Sequence, residues 1–474
     1  MAKKEFPSIH FYDQDFVDIY DQTWAWMEDY MQSRVEGSGF QQHYFNAADA
    51  VSIHQMEACF STFFMVYSNK KYPSAPQLDN FYGKQEEDGA IRCTYDVKTG
   101  QPVFTPKNPL GVSMPLFSWA EYNMYHKAGN KKRIKEVMPI LERYFSWLEE
   151  NFRQENGLYA VPLEATGMSN APREDGYYFI DFNSVQAMNA LYMSELGEVL
   201  NDKEISFKYK RHYFSLKTKI NQLMWNEEEQ LYMDLDADLQ QTQTRSIGAF
   251  WTLLAEIPGE TRWEQLLSHL KNPNTFGTPH PFPSIAANDP SFSENGDGYR
   301  GSVFPHLTFM VIKGIEKIGK YEMARDCAIR HLYYMLDTLH PEHNKRGNVW
   351  EAYRPMRDGP AEWQGIEGMP RAGYLHFVGL STIALMIENI IGLYISLPKK
   401  TVDWKVPTIE VMGIENLSLK RNMVTILTNK TNRGWEIRLE SEKLYYFTID
   451  ILSIKKKKTL PIPSGKCSML IDKL

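Results

Sequence analysis

Cysteine is scarce in this chain: Cys59, Cys93, Cys327 and Cys467 are the only four in 474 residues. They are scattered, with no CxxC spacing, so neither a disulfide framework nor a zinc site is predicted. No apolar run is long enough to span a bilayer. The first residues also lack the apolar core of a signal peptide. We therefore expect a soluble protein, in the cytoplasm or, if a leader was removed, in the periplasm or outside the cell.

An excess of positive charge is missing as well. The net charge is −7, and the one strong basic run, residues 455–458, lies in a segment with the pattern of a β-turn or sheet edge. A nucleic-acid partner is therefore not expected. The sequence contains no phosphate-cradling glycine loop, and residues 234–245 lack the glycine and glutamate that a calcium loop requires. No cofactor and no metal are predicted.

Most of the chain has helical periodicity. In residues 133–145, for example, apolar side chains recur at three- and four-residue steps. Helices are predicted at about residues 13–33, 52–67, 74–87, 112–128, 131–153, 181–201, 204–225, 243–257, 260–270, 299–319, 321–339 and 374–395. Several form pairs across tight glycine-containing joints. Paired antiparallel helices, close to twelve in number, predict a closed (α/α)6 barrel.

The pattern changes after residue 398. Residues 408–411, 423–428, 435–440 and 445–451 are rich in β-branched and aromatic residues and partly alternate in polarity. We predict a mainly α protein, with an (α/α)6 barrel over residues 1–398 as its catalytic-type domain. A small antiparallel β-sandwich with a packing role is predicted over residues 399–474.

The most informative segment is residues 347–355, where Glu351 stands between Trp350 and Tyr353 shortly before an apolar helix. Aromatic rings stack on the C–H faces of sugars, and a carboxylate can act on a hydroxyl or a water. The alternative interpretation is an interfacial loop with a surface glutamate. Four long loops, residues 88–111, 156–180, 271–298 and 340–373, separate the helix pairs, and loops of this length are often functional.

Two other loops contain polar groups whose role the sequence leaves open. Arg300 lies next to Gly301 just before an apolar helix, so it either points donors at a ligand or caps a neighbouring helix. Residues 164–175 form a turn-rich loop dense in polar groups, which is either functional or a structural turn.

Taken in order, these segments resemble the clan of inverting (α/α)6 glycosidases that includes trehalase, mannosyl-oligosaccharide glucosidase and mannosylglycerate hydrolase-like bacterial enzymes. The resemblance runs from about residue 45 to the end of the barrel. It rests on residues 78–82, 118–121, 167–173, 299–303, 310–314, 350–353 and 377–381. It implies that Glu351 is the general base that activates water.

The chain departs from the family pattern at two positions. The general acid of the family is an aspartate, and Ser169 stands at that position; Met56 and Glu57 replace a Trp-Asp pair that holds the sugar. Inverting hydrolysis needs an acid and a base about 6.5–9.5 Å apart, and a serine hydroxyl titrates too high to act as the acid. Either Glu164, Glu174 or Asp175 supplies the proton, the leaving group needs little help, or the chain binds sugars without cleaving them.

The resemblance thus predicts an inverting glycoside hydrolase that acts on an α-linked glucoside or a related small glycoside or oligosaccharide. Residues expected to bind sugar hydroxyls are Glu57, Asn170, Arg173 and Arg300, and those expected to line the subsites are Trp119, Trp350, Tyr353 and Trp363. One rival is a non-catalytic carbohydrate-binding protein, motivated by Ser169. Another is a sugar lyase or epimerase that uses Tyr177 and Tyr178. The sugar, its linkage and the oligomeric state are not predicted.

Overall fold

The computed structural model of the protein describes residues 5–47, 50–336, 348–407, 409–432, 434–462 and 464–471. Its helices are α1 (Gln14–Trp26), α2 (Gln55–Met65), α3 (Ala75–Tyr82), α4 (Phe117–Ala128), α5 (Lys131–Phe152), α6 (Ile180–Leu200), α7 (Lys203–Leu223), α8 (Trp251–Leu254), α9 (Glu260–Lys271), α10 (Pro305–Lys317), α11 (Tyr321–Leu336) and α12 (Leu375–Gly379). The last helix continues as a π-helix over Leu380–Ile391, and α8 is preceded by a 3-10 turn over Ile247–Phe250.

The even-numbered helices form a closed inner ring. Each of them contacts the next even-numbered helix along the chain, and α12 contacts α2, which closes the ring. The odd-numbered helices lie outside and connect one inner helix to the next. This arrangement confirms the (α/α)6 barrel that the pairing of helices predicts.

The two rings differ in how their helices are buried. Helix α6, in the inner ring, is buried on nearly every side, whereas α7, outside it, buries a single stripe with Tyr209, Tyr213, Leu216 and Ile220. That stripe has the three- and four-residue spacing of an amphipathic helix. Each such large apolar side chain contributes about 1.5–3 kcal/mol when fully buried. In the described ranges, no helix combines the length and the apolar character needed to cross a membrane.

Most of the strands build two sheets beside the barrel. They are β1 (Ser8–Phe11), β2 (Met31–Ser33), β3 (His43–Phe45), β4 (Ser52–His54), β5 (Thr94–Asp96), β6 (Trp225–Asn226), β7 (Leu231–Tyr232), β8 (Leu393–Ser396), β9 (Thr401–Val406), β10 (Met412–Leu419), β11 (Asn422–Thr431), β12 (Gly434–Ser441), β13 (Tyr445–Ile451), β14 (Lys456–Ile462) and β15 (Gly465–Ile471). One sheet has the order β1-β10-β11-β12-β15 and the other β14-β13-β9-β8. Their strands pair antiparallel except β9 and β13, which are parallel.

The N-terminal strand belongs to this C-terminal region. Strand β1 pairs with β10 from Ser8 opposite Glu415 to Phe11 opposite Met412. In the other sheet, Trp404 of β9 is buried, and its indole N–H donates to the carbonyl of Ile391, 2.7 Å away, at the end of the π-helix. One sheet thus includes a strand that precedes the barrel, and the other contacts the last inner helix, so the division at residue 398 stays a prediction.

Candidate active site

A cavity of about 430 Å³ lies at the end of the barrel where the inner helices begin. Its lining residues come from the start of α2 and from the loops that lead into α4, α6, α10 and α12; they include Glu57, Ser113, Ser169, Tyr299 and Glu351. Helix N-termini present unpaired N–H groups and a partial positive charge. This end of the barrel therefore favours oxygen-rich side chains and ligands.

Glu351 points into this cavity and is held by one neighbour. Its side chain is buried, with the residue 3% exposed. Arg371 donates from its main-chain N–H (3.2 Å) and from Nε (2.9 Å) to Oε2 of Glu351, and from Nη2 (2.8 Å) to Oε1. A carboxylate offers about four lone-pair directions, two on each oxygen. Because Oε2 accepts two of these bonds and Oε1 only one, Oε1 is the oxygen with room for a further donor.

The same arginine connects Glu351 to a second carboxylate. The Arg371 guanidinium lies 4.1 Å from the centre of the Tyr374 ring, and the Tyr374 hydroxyl donates to Oε1 of Glu57. Burial, together with the negative charge of Glu57, holds the pKa of Tyr374 well above its usual value, so the hydroxyl keeps its proton. Burial opposes the charge on Arg371, but the hydrogen bonds to Glu351 outweigh it and raise the pKa of Arg371.

Glu57 keeps one oxygen available. Its Oε2 is buried in the cavity wall and has no hydrogen-bond partner in the described part of the chain. A buried carboxylate oxygen without a donor costs about 1–3 kcal/mol or more. A donor from a ligand, such as a sugar hydroxyl, would remove that cost.

A third carboxylate, Glu164, lies on the loop that precedes α6. Glu164 and Ser169 both line the cavity, and the Lys107 ammonium is 3.8 Å from the Glu164 carboxylate. Between them, Gly167 has a φ of +78°, and a Cβ there would lie 2.9 Å from the Met56 side chain. The glycine therefore lets this loop pack closely on the start of α2.

The other two acid candidates lie elsewhere. Glu174 and Asp175 are both exposed, and neither belongs to the cavity lining. Glu174 is instead 3.5 Å from Arg300, which is also absent from the lining. This ion pair joins two loops and is neither a ligand contact nor a helix cap, so both interpretations of Arg300 stay predictions.

Arg173 lies in the core rather than at the sugar site predicted for it. Its guanidinium is fully buried and donates to Asp181 (2.6 and 3.0 Å) and to Asp234 (2.7 and 2.9 Å). All of these donors are engaged within the protein, so none is available to a ligand. The cluster joins the loop before α6 to the segment after β7.

The four aromatic residues that were expected to line the sugar subsites lie in two different places. Trp119 is buried against Phe63, with ring centres 4.4 Å apart. Tyr353 is fully buried, and its hydroxyl accepts the main-chain N–H of Trp350 at 3.0 Å. Both rings are buried in the core, and neither lines the cavity at Glu351. Trp350 and Trp363 line a neighbouring cavity instead.

Asn170 contacts the backbone of the loop that carries Tyr299. Its side-chain oxygen accepts the N–H of Tyr299 at 2.8 Å, and its amide donates to the carbonyl of Asp297 at 3.2 Å. The Tyr299 ring lines the cavity, and burial raises its pKa, so its hydroxyl is protonated at neutral pH. Asn170 thus orders the loop that brings this ring to the site.

Sequence reasoning missed several residues of the cavity. Arg371, Tyr299, His54 and Phe377 all contribute to its lining. His54 forms a short polar chain there: its Nδ1 is 3.1 Å from the Thr94 hydroxyl. Arg371 had a recognisable signal, because it precedes Gly373 just before an apolar helix, as Arg300 precedes α10. Tyr299 and Phe377 begin the stretches 299–303 and 377–381, on which the family resemblance rests, whereas His54 lies outside all of the matching stretches.

Comparison with known proteins identifies the family. The model of the mannosylglycerate hydrolase MGH1-like glycoside hydrolase domain matches residues 19–374, and that of the trehalase C-terminal domain matches residues 392–474. The chain belongs to the mannosylglycerate hydrolase MGH1-like glycoside hydrolase family. The resemblance that the sequence motifs indicate is thereby confirmed.

Individual proteins also resemble this MGH1-like chain. A protein of Borreliella burgdorferi (strain ATCC 35210 / DSM 4680 / CIP 102532 / B31), described as uncharacterized, is 51% identical over 476 residues, 100% of both chains. A solved sialidase structure has a TM-score of 0.74 and 16% identity, over 93% of this chain and 40% of the sialidase chain. The GH63 mannosylglycerate hydrolase of Thermus thermophilus in complex with glucose has a TM-score of 0.60 and 16% identity, over 77% of this chain and 99% of its own. At these identities the structures show a shared fold.

Proposed function

We propose that the protein is an inverting glycoside hydrolase that acts on an α-linked glucoside or a related small glycoside, with Glu351 as the general base. The observation that carries this proposal is the position of Glu351, whose carboxylate lines the cavity at the start of the inner helices. Oε1 is the oxygen that takes the proton from the attacking water, because Arg371 occupies more of Oε2.

Glu164 is the proposed general acid. Of the three carboxylates considered for this role, it is the one that lines the cavity, on the same loop as Ser169. In the reaction, Glu164 gives its proton to the glycosidic oxygen as the bond to the anomeric carbon breaks. Water attacks the opposite face of the sugar and loses a proton to Glu351.

Glu57 is the proposed sugar-binding residue. Its Oε2 accepts a sugar hydroxyl, while its other oxygen remains bonded to Tyr374. This supports the sequence-based role of Glu57 without assigning a particular sugar.

A released-sugar assay with a panel of α-linked disaccharides tests the proposal. The wild-type protein is expected to release monosaccharide, and Glu351→Gln to reduce the rate by about 10²–10⁴-fold, the usual contribution of acid–base catalysis. Glu174→Gln is the matched control, since Glu174 is exposed and outside the cavity. Absence of turnover by the wild type, or undiminished turnover by Glu351→Gln, contradicts the proposal.

A second candidate is a carbohydrate-binding protein without hydrolytic activity. Two observations favour it: Ser169 occupies the acid position, and Arg371 binds both oxygens of Glu351. Saturable sugar binding in calorimetry, with no product after long incubation, would support this function. Any hydrolysis that depends on Glu351 eliminates it.

A further inference from the structure

Two further cavities lie at the opposite end of the barrel from Glu351, where the inner helices α4 and α6 end. One has a volume of about 660 Å³ and lies between the end of α4 and three turns of the two sheets. The other has a volume of about 850 Å³ and lies where α5 and α7 begin. Gly129 lines the first cavity and Lys131 the second, so the two cavities adjoin at the turn between α4 and α5. We call the surface formed by their lining residues the basic end.

The basic end contains eight exposed cationic side chains. Lys400, Lys420, Arg421 and Lys443 line the first cavity, and Lys131, Lys132, Lys135 and Lys203 line the second. Among the described lining residues, the first cavity has no carboxylate, and the second has only Asp202. That carboxylate caps helix α7 by accepting the N–H of Ile205 at 3.0 Å.

Few of these cations are neutralised inside the protein. Lys132 forms an exposed ion pair with Glu136 at 3.4 Å, and the other seven form no salt bridge with the part of the chain that the structure describes. The chain as a whole has a net charge of −7, so this surface has the opposite sign to the protein. Such a concentration of one charge attracts a partner of the other charge.

Five of the eight cations occupy positions that are unfavourable for local structure. Lys131, Lys132 and Lys203 lie in the first turns of α5 and α7, where the partial positive charge of the helix disfavours a cation. Lys400 and Lys420 have φ values of +53° and +63°, a conformation that favours glycine or asparagine. Departures from local preference are typical of functional positions, so we infer that these cations serve binding.

The turns around the first cavity are held together by hydrogen bonds. The buried Asn422 accepts the main-chain N–H of Lys443 at 3.0 Å through Oδ1. The carbonyl of Lys400 accepts the N–H of Tyr446 at 2.9 Å, and the N–H of Leu397 donates to the carbonyl of His126 at 2.7 Å. The backbone that carries these cations is therefore ordered before any partner binds.

Apolar side chains are exposed beside the cations. Leu444, in the first cavity, is 41% exposed, and Phe207, one helical turn after Lys203 on the same face of α7, is 64% exposed. Two adjoining cavities with eight cations exceed the reach of a single small anion. An anionic bilayer has both an extended negative surface and an apolar layer beneath it, whereas a nucleic acid has no such layer.

We propose that the basic end is a docking surface for a membrane that contains anionic phospholipids. Its cations contact the lipid phosphates, and Leu444 and Phe207 reach the boundary between headgroups and acyl chains. Because the cavity at Glu351 lies at the other end of the barrel, docking leaves that cavity open to water. The inference does not depend on the hydrolase function.

Sedimentation with lipid vesicles tests the proposal. We expect the 474-residue chain to bind vesicles of equal parts phosphatidylcholine and phosphatidylglycerol, and to dissociate when salt is raised from about 0.1 M to about 1 M. Each lysine near an anionic surface contributes about fivefold to affinity, so Lys131→Gln, Lys135→Gln and Lys203→Gln combined should weaken binding about 10²-fold. Lys400→Gln, Lys420→Gln and Lys443→Gln combined should do the same.

A matched control removes the same charge elsewhere. Lys98→Gln, Lys271→Gln and Lys430→Gln combined replace exposed lysines that line neither cavity, and this variant should bind like the wild type. Urea denaturation checks that all three variants are folded, and their release of sugar should equal that of the wild type. The proposal is overturned if the wild type does not bind anionic vesicles, or binds pure phosphatidylcholine equally well. Equal losses in the control and in the basic-end variants also overturn it. Binding of a DNA duplex without binding of vesicles would assign the basic end to nucleic acid instead.

Discussion

Arg173 and Arg371 bind carboxylates with similar geometry but in opposite surroundings. The Arg173 side chain is 0% exposed and is enclosed by Asp181 and Asp234, which are also buried. The Arg371 side chain is 30% exposed and holds Glu351 at the wall of a cavity. In the first case both carboxylates bind the guanidinium, and all of its donors are used inside the protein. In the second, Oε1 of Glu351 accepts one of the three bonds from Arg371, and Oε2 of Glu57 has no hydrogen-bond partner among the described residues.

The difference shows that an arginine near a carboxylate has no fixed role. A closed cluster that loses one member leaves unpaired buried charge, so its main contribution is to stability. A pair beside a cavity holds a carboxylate in a defined orientation, so its main contribution is to binding or catalysis. Measurements of stability and of turnover should therefore respond to different substitutions.

Arg173→Met should have the largest effect and should appear in stability. Removing the guanidinium leaves Asp181 and Asp234 buried without their cation, and burial already raises the pKa of Asp181 despite its presence. We expect a loss of about 3–5 kcal/mol in the free energy of unfolding, measured by urea denaturation. Arg153→Met, which breaks the half-exposed pair with Glu149, should cost less than about 1 kcal/mol. Equal losses of stability for the two variants would show that the burial of the Arg173 cluster does not increase its contribution to stability.

Glu164→Gln should affect turnover rather than stability. The amide cannot protonate a leaving group, so turnover of an α-linked disaccharide should fall about 10²-fold, with stability nearly unchanged. Initial rates and a urea titration of the same sample measure both quantities. Glu174→Gln serves as the exposed control. Unchanged turnover in Glu164→Gln would show that another group supplies the proton or that the leaving group needs none.

A substitution of His331 tests the buried region that packs on the segment containing Glu351 and Tyr353. Its Nδ1 is 2.7 Å from Nε2 of His280, whose ring lies 5.5 Å from that of Tyr353. Burial lowers the pKa of His331 to about 3, whereas an unfolded histidine titrates near about 6.5. Between these values the unfolded chain binds the extra proton, so stability falls as the pH falls.

From pH 6.5 to pH 5 this single group should cost about 1.5–2 kcal/mol in the free energy of unfolding. His331→Asn should reduce that pH dependence, whatever its effect at pH 7. The exposed His43→Asn should not change it. Urea denaturation at several pH values measures the slope, and an identical slope in wild type and His331→Asn would contradict the assignment.

Arg371→Lys should have the smallest effect and should appear in turnover. Lysine keeps the charge but cannot reproduce the fork that binds both oxygens of Glu351. We expect kcat to fall about tenfold while the free energy of unfolding changes by less than about 1 kcal/mol. Stopped assays with saturating disaccharide provide kcat. A large loss of stability without a loss of kcat would place Arg371 in the same class as Arg173.

The amino-acid sequence alone predicted most of the helices, their pairing and Glu351 as the candidate base. Helical periodicity and glycine joints are local signals, so they predict the barrel without knowledge of distant contacts. Trp350, Glu351 and Tyr353 form a local motif as well. The sequence also identified Glu57 and Glu164, and the structure brings both to the cavity of Glu351.

Only the tertiary structure decided which polar and aromatic side chains face the cavity. Arg173 and Trp119 lie in matching motifs yet are buried in the core, and Arg371 reaches Glu351 across 20 residues of chain. Glu57 meets Tyr374 across 317 residues. Periodicity shows that a residue is on a helix or in a loop, but its surroundings depend on how the ring of helices closes, and that closure is set by packing between segments far apart in the chain.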